Sequence, residues 1–218
     1  EGQPKTLTLG DEVLEARSII IASGAKPSAL GVPGESEFTG RGVSYCATCD
    51  GALYKGADVV VVGGGDSAIK EALLLTRYAN TVTVIHRRDA LRATGILQNR
   101  AFSNPKIKIK WNSVVDRIEG SNRVNGVLVR NVKDGSTEVL AATGVFIYVG
   151  VDPVTSFLQG TGILDESGYI VTGPDMATSI PGVYAAGDVR SDSMRQIVSA
   201  ASDGAAAALE AYDYLESL

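Results

Sequence analysis

Cys46 and Cys49 are the only cysteines of the chain, set in a Cys-Ala-Thr-Cys run that Asp50 follows directly. Two thiols at this spacing can bridge and reopen, and their surroundings can hold one of them as the thiolate. Two other uses compete. Zinc asks for four ligands, and two Cys with one His and scattered carboxylates make a poor set within one chain. A structural disulfide across so small a loop constrains the unfolded chain little. Redox exchange fits best of the three. Asp50, beside the second thiol, is placed to accept or give the proton that such exchange moves.

A second group is Gly63-Gly64-Gly65-Asp66-Ser67-Ala68, which follows an apolar run and opens a helical pattern. In that setting Gly63 allows a tight turn, Gly65 lets backbone approach a pyrophosphate, and Ala68 lets helix and strand pack closely. The helix start offers free N–H groups to phosphate. A packing turn with no ligand is the plainer reading, and the context favours a dinucleotide. About 20 residues further on, where an NAD-binding protein places an acid on the ribose, stand His86-Arg87-Arg88, with Arg92 just beyond. Guanidinium groups suit a 2′-phosphate by charge and by bidentate geometry. The competing reading is a solvated charge cluster. His86 is assigned nothing beyond a ribose or phosphate contact.

A third group is a pair of strand ends, Ala22-Ser23-Gly24-Ala25 and Ala185-Ala186-Gly187-Asp188, with Arg195-Gln196 at the start of the last helix. Asp188 could bond a ribityl hydroxyl, and Arg195 and Gln196 could donate near a flavin ring. By themselves these are ordinary loops.

The elements that must position these residues follow from hydrophobic periodicity. Residues 6–9 alternate as a short strand, resumed at 13–14 after a turn at Asp11-Glu12. Residues 17–24 read as a buried strand, and 26–34 as a Pro- and Gly-rich linker. Residues 57–63 form a wholly apolar strand, of the kind found in parallel sheets covered on both faces. A helix is expected over 66–79, a strand over 81–85, a helix over 89–101 and a strand over 107–111. Residues 114–118, 124–131 and 138–142 suit an antiparallel meander, with turns at Asn125-Gly126 and Asp134-Gly135. A buried strand over 144–149 ends at Gly150-Val151-Asp152-Pro153, a second linker. Strands over 168–171 and 180–188 and a long helix from 196 to 218 complete the chain. Residues 29–150 thus form a self-contained βαβ unit plus meander, inserted between two flanks.

Bulk properties exclude several classes. The chain has 218 residues, 44% hydrophobic and 21% charged, with net charge −5 and a pI of about 5.0. That is ordinary globular usage, with no basic stripe for nucleic acid. No apolar run approaches the roughly 18 residues of a membrane span. The polar start, Glu1-Gly2-Gln3-Pro4-Lys5, has no signal-peptide core and no initiator Met, and reads as a cut edge. Cytoplasmic residence is expected.

Together these motifs resemble the low-molecular-weight, bacterial-type thioredoxin reductases. The resemblance rests on Cys46-Ala-Thr-Cys49-Asp50-Gly51, Gly63-Gly-Gly65-Asp-Ser-Ala68, His86-Arg87-Arg88-Asp89, Gly150-Val-Asp-Pro153, Ala185-Ala-Gly187-Asp188-Val189 and Arg195-Gln196. It implies an α/β fold in which a Rossmann-like, three-layer NADPH-binding domain over 29–150 is inserted into a partial FAD-binding domain of the same type, 1–26 with 153–218. Gly63, Gly65, Asp66, Ser67, Ala68, His86, Arg87, Arg88, Arg92 and Gly150 would then serve NADPH. Ser23, Gly24, Gly187, Asp188, Arg195 and Gln196 would serve FAD. The resemblance also implies a homodimer that reduces thioredoxin or a thioredoxin-like protein, with Cys46 the outer thiol, Cys49 nearer the flavin, and Asp50 the acid/base.

There are departures. The strand and glycine turn that open the family's FAD domain are missing, roughly a hundred residues on the scale of one dinucleotide-binding unit. A longer natural protein is expected. Ser23 stands where the family often has Thr, and Ile69-Lys70-Glu71 where it often has paired acids. Two rivals share parts of the pattern: the flavoprotein component of an alkyl hydroperoxide reductase, which the Arg87-Arg88 pair opposes, and a non-catalytic NADP-binding module, which the intact Cys-x-x-Cys-Asp opposes.

Overall fold

The computed structural model describes residues 4–218, so the reading of the first residues as a cut edge lies partly outside the described residues. In chain order the strands and helices are β1 (Lys5–Leu9), β2 (Glu12–Ala16), β3 (Ile19–Ile21), β4 (Ala25–Pro27), β5 (Val43–Ser44), α1 (Ala47–Asp50), β6 (Asp58–Val62), α2 (Asp66–Leu75), β7 (Thr81–Ile85), α3 (Gly95–Phe102), β8 (Ile107–Lys110), β9 (Ser113–Gly120), β10 (Val124–Asn131), β11 (Thr137–Ala141), β12 (Gly144–Ile147), β13 (Val151–Pro153), β14 (Val183–Ala185) and α4 (Ile197–Glu216). Short 3-10 turns lie at Gly51–Tyr54, Ser156–Leu158 and Gly187–Val189. The chain divides into two compact units, one of Pro27–Gly150 and one of the described residues up to Lys26 with Val151–Leu218.

Pro27–Gly150 is built on a parallel five-stranded sheet in the order β5-β12-β6-β7-β8. β6 shows why its sequence is apolar throughout. Val59 and Val61 face one core with Ala68, Ile69, Ala72 and Leu75 of α2. Val60 and Val62 face a second core with Val115, Ile118, Val127 and Val129 of the antiparallel sheet β11-β10-β9. A strand covered on both faces has no polar side. The unit is therefore three layers: helices, parallel sheet, meander.

Several boundaries differ from the periodic reading. α2 stops at Leu75, four residues short: the Arg77 and Tyr78 N–H groups bond back three residues, to Leu74 O and Leu75 O, and Lys106 Nζ donates to the Thr76 and Ala79 carbonyls beyond the end. Residues 89–94 are not helical. The Arg92 and Ala93 N–H groups both donate to Gly64 O, at 2.8 and 3.1 Å, so this stretch folds back onto the glycine turn. The helix begins only at Gly95. Asn125-Gly126 is not a turn but lies inside β10, where the register with β9 shifts by a bulge. Asp134-Gly135 does turn the chain, with Gly135 at φ +74°.

In the other unit β1 and β2 pair as an antiparallel hairpin, and β3 pairs in parallel with β14. β14 is again covered on both faces. Val183 and Ala185 meet Ile163, Ile170 and Val189, while Tyr184 meets Ala207 and Ala211 of α4. The strand expected over 17–24 is only three residues long, and Ile20 in it is exposed. Residues 168–171 are not a strand; Ile170 makes only isolated bridges, to Leu164 and Arg190. Among the described residues no helix is long and apolar enough to cross a membrane.

Candidate functional site

The dithiol sits at the end of β5. That strand is the edge of the parallel sheet, held by β12, and the chain leaves it directly into α1. Cys46 is the residue before the helix and its Sγ accepts the Cys49 N–H at 3.1 Å, a cap that a small polarisable side chain can make. Residues three apart on a helical turn share a face, and here the two sulfurs are joined in a disulfide, with Cα atoms 5.3 Å apart. Cys49 is exposed and Cys46 half-buried, so the outer role that the resemblance gives Cys46 is not carried by exposure in this unit.

Asp50 is bound to the same turn from two sides. Its N–H donates to Cys46 O at 3.0 Å, and its Oδ2 accepts the Ser44 hydroxyl at 2.7 Å. The Ser44 oxygen in turn accepts the Cys46 N–H at 3.1 Å. Ser44 is buried, so this relay of backbone, hydroxyl and carboxylate is shielded from water on one side. Opening the disulfide takes two electrons and two protons, and the carboxylate lies one hydroxyl away from the backbone of the first thiol. The sequence reading found Asp50 but not Ser44. Its signal was the alternation of Val43 and Ser44 at an edge strand, with a hydroxyl two residues before the first Cys.

A cavity of about 340 Å³ opens at the carboxyl ends of β6 and β7, the usual ligand crevice of an open parallel sheet. Gly63, Gly64, His86, Arg87 and Arg92 line it, together with Leu30, Val62, Ile85 and Tyr148. Gly63 has φ +143°, and a Cβ there would stand 2.4 Å from Tyr148 O. A Cβ on Gly64 would stand 2.3 Å from His86 Nδ1. Gly65, just before α2, has open space where its Cβ would be. Two glycines thus admit the protein's own packing and the third faces free space. Sequence reasoning singled out Gly63 and Gly65 and missed Gly64, whose constraint is tertiary.

His86 is buried, and its Nε2 lies 3.0 Å from Ala90 O. Burial lowers its pKa, the Ala90 contact opposes that, and the fields of Arg92, Arg88 and Arg87 lower it further. Nε2 faces a carbonyl oxygen and so donates to it, and the ring serves as the floor under Gly64. Arg87, Arg88 and Arg92 are all exposed, and among the described residues none makes an ion pair. Arg87 and Arg92 line the cavity; Arg88 does not, and its carbonyl accepts Asn112 N–H instead. Asp66 Oδ1 accepts the Thr94 N–H at 2.6 Å, pinning the fold-back loop to the start of α2. Ala68 is fully buried, 2.9 Å from the Cβ position of Gly63. Ser67 is exposed. Gly150 lies outside the cavity lining, where its carbonyl accepts Ser28 N–H and its own Cβ would meet Ser28 Oγ. Open backbone at Gly65, a helix start and unpaired guanidiniums are a donor set that fits a phosphorylated dinucleotide.

In the other unit β3 and β14 run parallel and end on the same side, at Ser23-Gly24 and Gly187-Asp188. Ser23 Oγ donates to Val154 O at 2.7 Å. Gly24 and Gly187 have φ +73° and +76°. The Gly187 turn is held by Asp203 of α4, whose Oδ2 accepts both the Gly187 N–H at 3.1 Å and Arg190 Nη1 at 2.6 Å. Asp188 Oδ1 accepts from Ser193 Oγ. Arg195 lies over the Tyr169 ring and donates to its hydroxyl, and Gln196 donates back to the Arg195 carbonyl. Ile197 and Val198 beside them are exposed. A carboxylate, an amide and a guanidinium next to apolar side chains suit the polar edge and flat face of a flavin. Asp203 was not legible in the sequence, because its partner lies across a helix and a turn.

These features define a nucleotide-linked disulfide oxidoreductase. A family described as pyridine nucleotide-disulphide oxidoreductase matches residues 2–204. Thioredoxin reductase of Listeria monocytogenes is 52% identical over 215 residues, covering 98% of this chain and 67% of its own length. That of Bacillus subtilis is 48% identical, covering 98% and 68%. The crystal structure of thioredoxin reductase from Streptococcus pyogenes superposes with a TM-score of 0.95 at 52% identity, over 100% of this chain and 72% of that one. The chain belongs to the pyridine nucleotide-disulphide oxidoreductases and, among them, to the thioredoxin reductase family. Membership implies FAD and NADPH as cofactors.

Proposed function

We propose that residues 29–150 bind NADPH and carry the redox dithiol, that residues 1–26 and 153–218 hold the flavin end of FAD, and that the dithiol reduces thioredoxin. The supporting observation is the placement of unpaired Arg87 and Arg92 on the glycine-turn crevice, in the same unit as the Cys46–Cys49 disulfide. Bound NADPH and FAD supply the two electrons that open that disulfide. Gly63, Gly65, Asp66, Ser67 and Ala68 form the phosphate turn, and His86, Arg87, Arg88 and Arg92 the 2′-phosphate side, with Gly150 at the edge. Ser23, Gly24, Gly187, Asp188, Arg195 and Gln196 receive the flavin.

The chain's own chemistry is thiol exchange. One thiolate of the reduced pair attacks a sulfur of the thioredoxin disulfide, forming a mixed disulfide and releasing one thioredoxin thiolate. The remaining thiol loses its proton, attacks the bridged cysteine sulfur and restores Cys46–Cys49. The second thioredoxin sulfur leaves as thiolate, and two protons balance the two released sulfurs. Asp50, fixed by Ser44, carries a proton to or from the pair. We assign the working form as a homodimer and its site as the cytoplasm. The test compares NADPH with NADH as donor to oxidised thioredoxin. A clear preference for NADPH supports the reading, and a preference for NADH overturns it.

A further inference from the structure

We propose that Tyr148 is a positioning residue that ties the redox turn to the nucleotide crevice, so that a bound dinucleotide alters the reactivity of the reduced dithiol. The proposal rests on the nucleotide reading of the crevice given above. Tyr148 directly follows β12, and its N–H donates to Val62 O at 2.8 Å, at the end of β6. It lines the cavity beside Gly63 and Gly64. Its carbonyl oxygen occupies the space where Gly63 would carry a Cβ, so the Tyr148 backbone packs directly on the glycine turn.

The hydroxyl of the same residue accepts the Ala47 N–H at 2.6 Å. Ala47 is the first residue of α1, buried, and next to Cys46 in the chain. The first N–H groups of a helix have no partner within it, and Tyr148 supplies one. The hydroxyl is a constant acceptor. Burial pushes the phenol well above its ordinary pKa, and the charges of Glu71 and Asp50 act in the same direction, although the Ala47 bond opposes them. It therefore stays protonated at any physiological pH.

The consequence reaches the sulfur. Cys46 Sγ accepts the Cys49 N–H only while the first turn of α1 is wound, and after reduction that donor is what favours a Cys46 thiolate. A dinucleotide in the crevice packs against the Tyr148 segment beside Gly63 and holds the turn wound. An empty crevice leaves it looser.

The experiment uses the reduced protein and follows iodoacetamide alkylation of Cys46 by mass spectrometry across pH. It is run with and without saturating NADP+, which binds without giving electrons, and NADP+ affinity is titrated for every variant. In the wild type NADP+ lowers the apparent thiol pKa and speeds alkylation at neutral pH, on the order of threefold for one net hydrogen bond. Tyr148→Phe loses that response. Ala47→Pro, which deletes the donor at a helix position that tolerates proline, loses it too. NADP+ that binds the wild type without moving the profile, or a response kept in either folded variant, overturns the coupling. A wild type that does not bind NADP+ overturns the nucleotide reading itself, and the coupling with it.

Discussion

The Ser44 hydroxyl donates to Asp50 Oδ2 at 2.7 Å while its oxygen accepts the Cys46 N–H at 3.1 Å. One buried side chain therefore fixes both the redox turn and the carboxylate beside it. A positioned acid or base contributes about 100-fold or more to a proton-transfer step. Asp50→Asn keeps the shape and removes the titratable group. Thioredoxin turnover is expected to fall about 100-fold with NADPH affinity unchanged, read as kcat against a binding titration. Equal turnover in the variant would remove Asp50 from the mechanism.

Ser44→Ala breaks both bonds but leaves the carboxylate. Leaving the Cys46 N–H without its acceptor costs about 1 kcal/mol of stability, and up to about 3 if water cannot replace it. Turnover is expected to fall less than in Asp50→Asn. Urea unfolding and steady-state kinetics on the two variants check the order.

Gly64→Ala tests a position set by tertiary packing alone. The added Cβ would meet the His86 ring at 2.3 Å from Nδ1, and His86 is held by Ala90 O and by the Trp111 ring against it. Overpacking of this kind costs roughly 1–3 kcal/mol. The variant should melt earlier and bind NADPH more weakly, as shown by calorimetry and a fluorescence titration. Wild-type values for both would mean that the ring moves aside freely.

Arg87→Gln and Arg92→Gln should each raise the KM for NADPH about tenfold, the factor that corresponds to about 1.4 kcal/mol, and leave the KM for NADH unchanged. Charge-assisted bonds to phosphate are of that size. Arg88→Gln should have the smaller effect, because Arg88 does not line the cavity. A uniform loss for both nucleotides would indicate general electrostatics and not 2′-phosphate recognition.

His86 makes stability depend on pH. Burial is the largest cause lowering its pKa from the ordinary value near 6.5. The unfolded chain therefore binds the proton more readily than the folded one, and stability rises with pH across that interval. The His86 contribution is present in full above pH 6.5 and is lost as pH falls from there through the lowered folded value. Denaturant midpoints at neutral and mildly acidic pH should differ more for the wild type than for His86→Gln. An equal difference would assign the slope to other groups.

The sequence made the cysteine pair, the strand-to-helix glycine turn and the arginines near it legible, because each depends on local spacing or on a strand-to-helix context. Val59 to Val62 likewise announced a strand covered on both faces. What stayed hidden was decided across space. Residues 89–94 have helical periodicity, but Gly64 O takes two of their N–H groups and unwinds them. Asn125-Gly126 is a turn pair by composition, yet the ladder of β9 and β10 absorbs it as a bulge. Tyr148 and Asp203 act through partners 101 and 16 residues away, distances at which no local pattern carries a signal.

The central claim is that electrons from NADPH leave through Cys46 and Cys49 to thioredoxin. It is tested most directly by NADPH oxidation that depends on oxidised thioredoxin, compared among the wild type, Cys46→Ser and Cys49→Ser. The account predicts sustained oxidation in the wild type and none above background in either variant. Thioredoxin-dependent oxidation that survives the loss of either cysteine would contradict it.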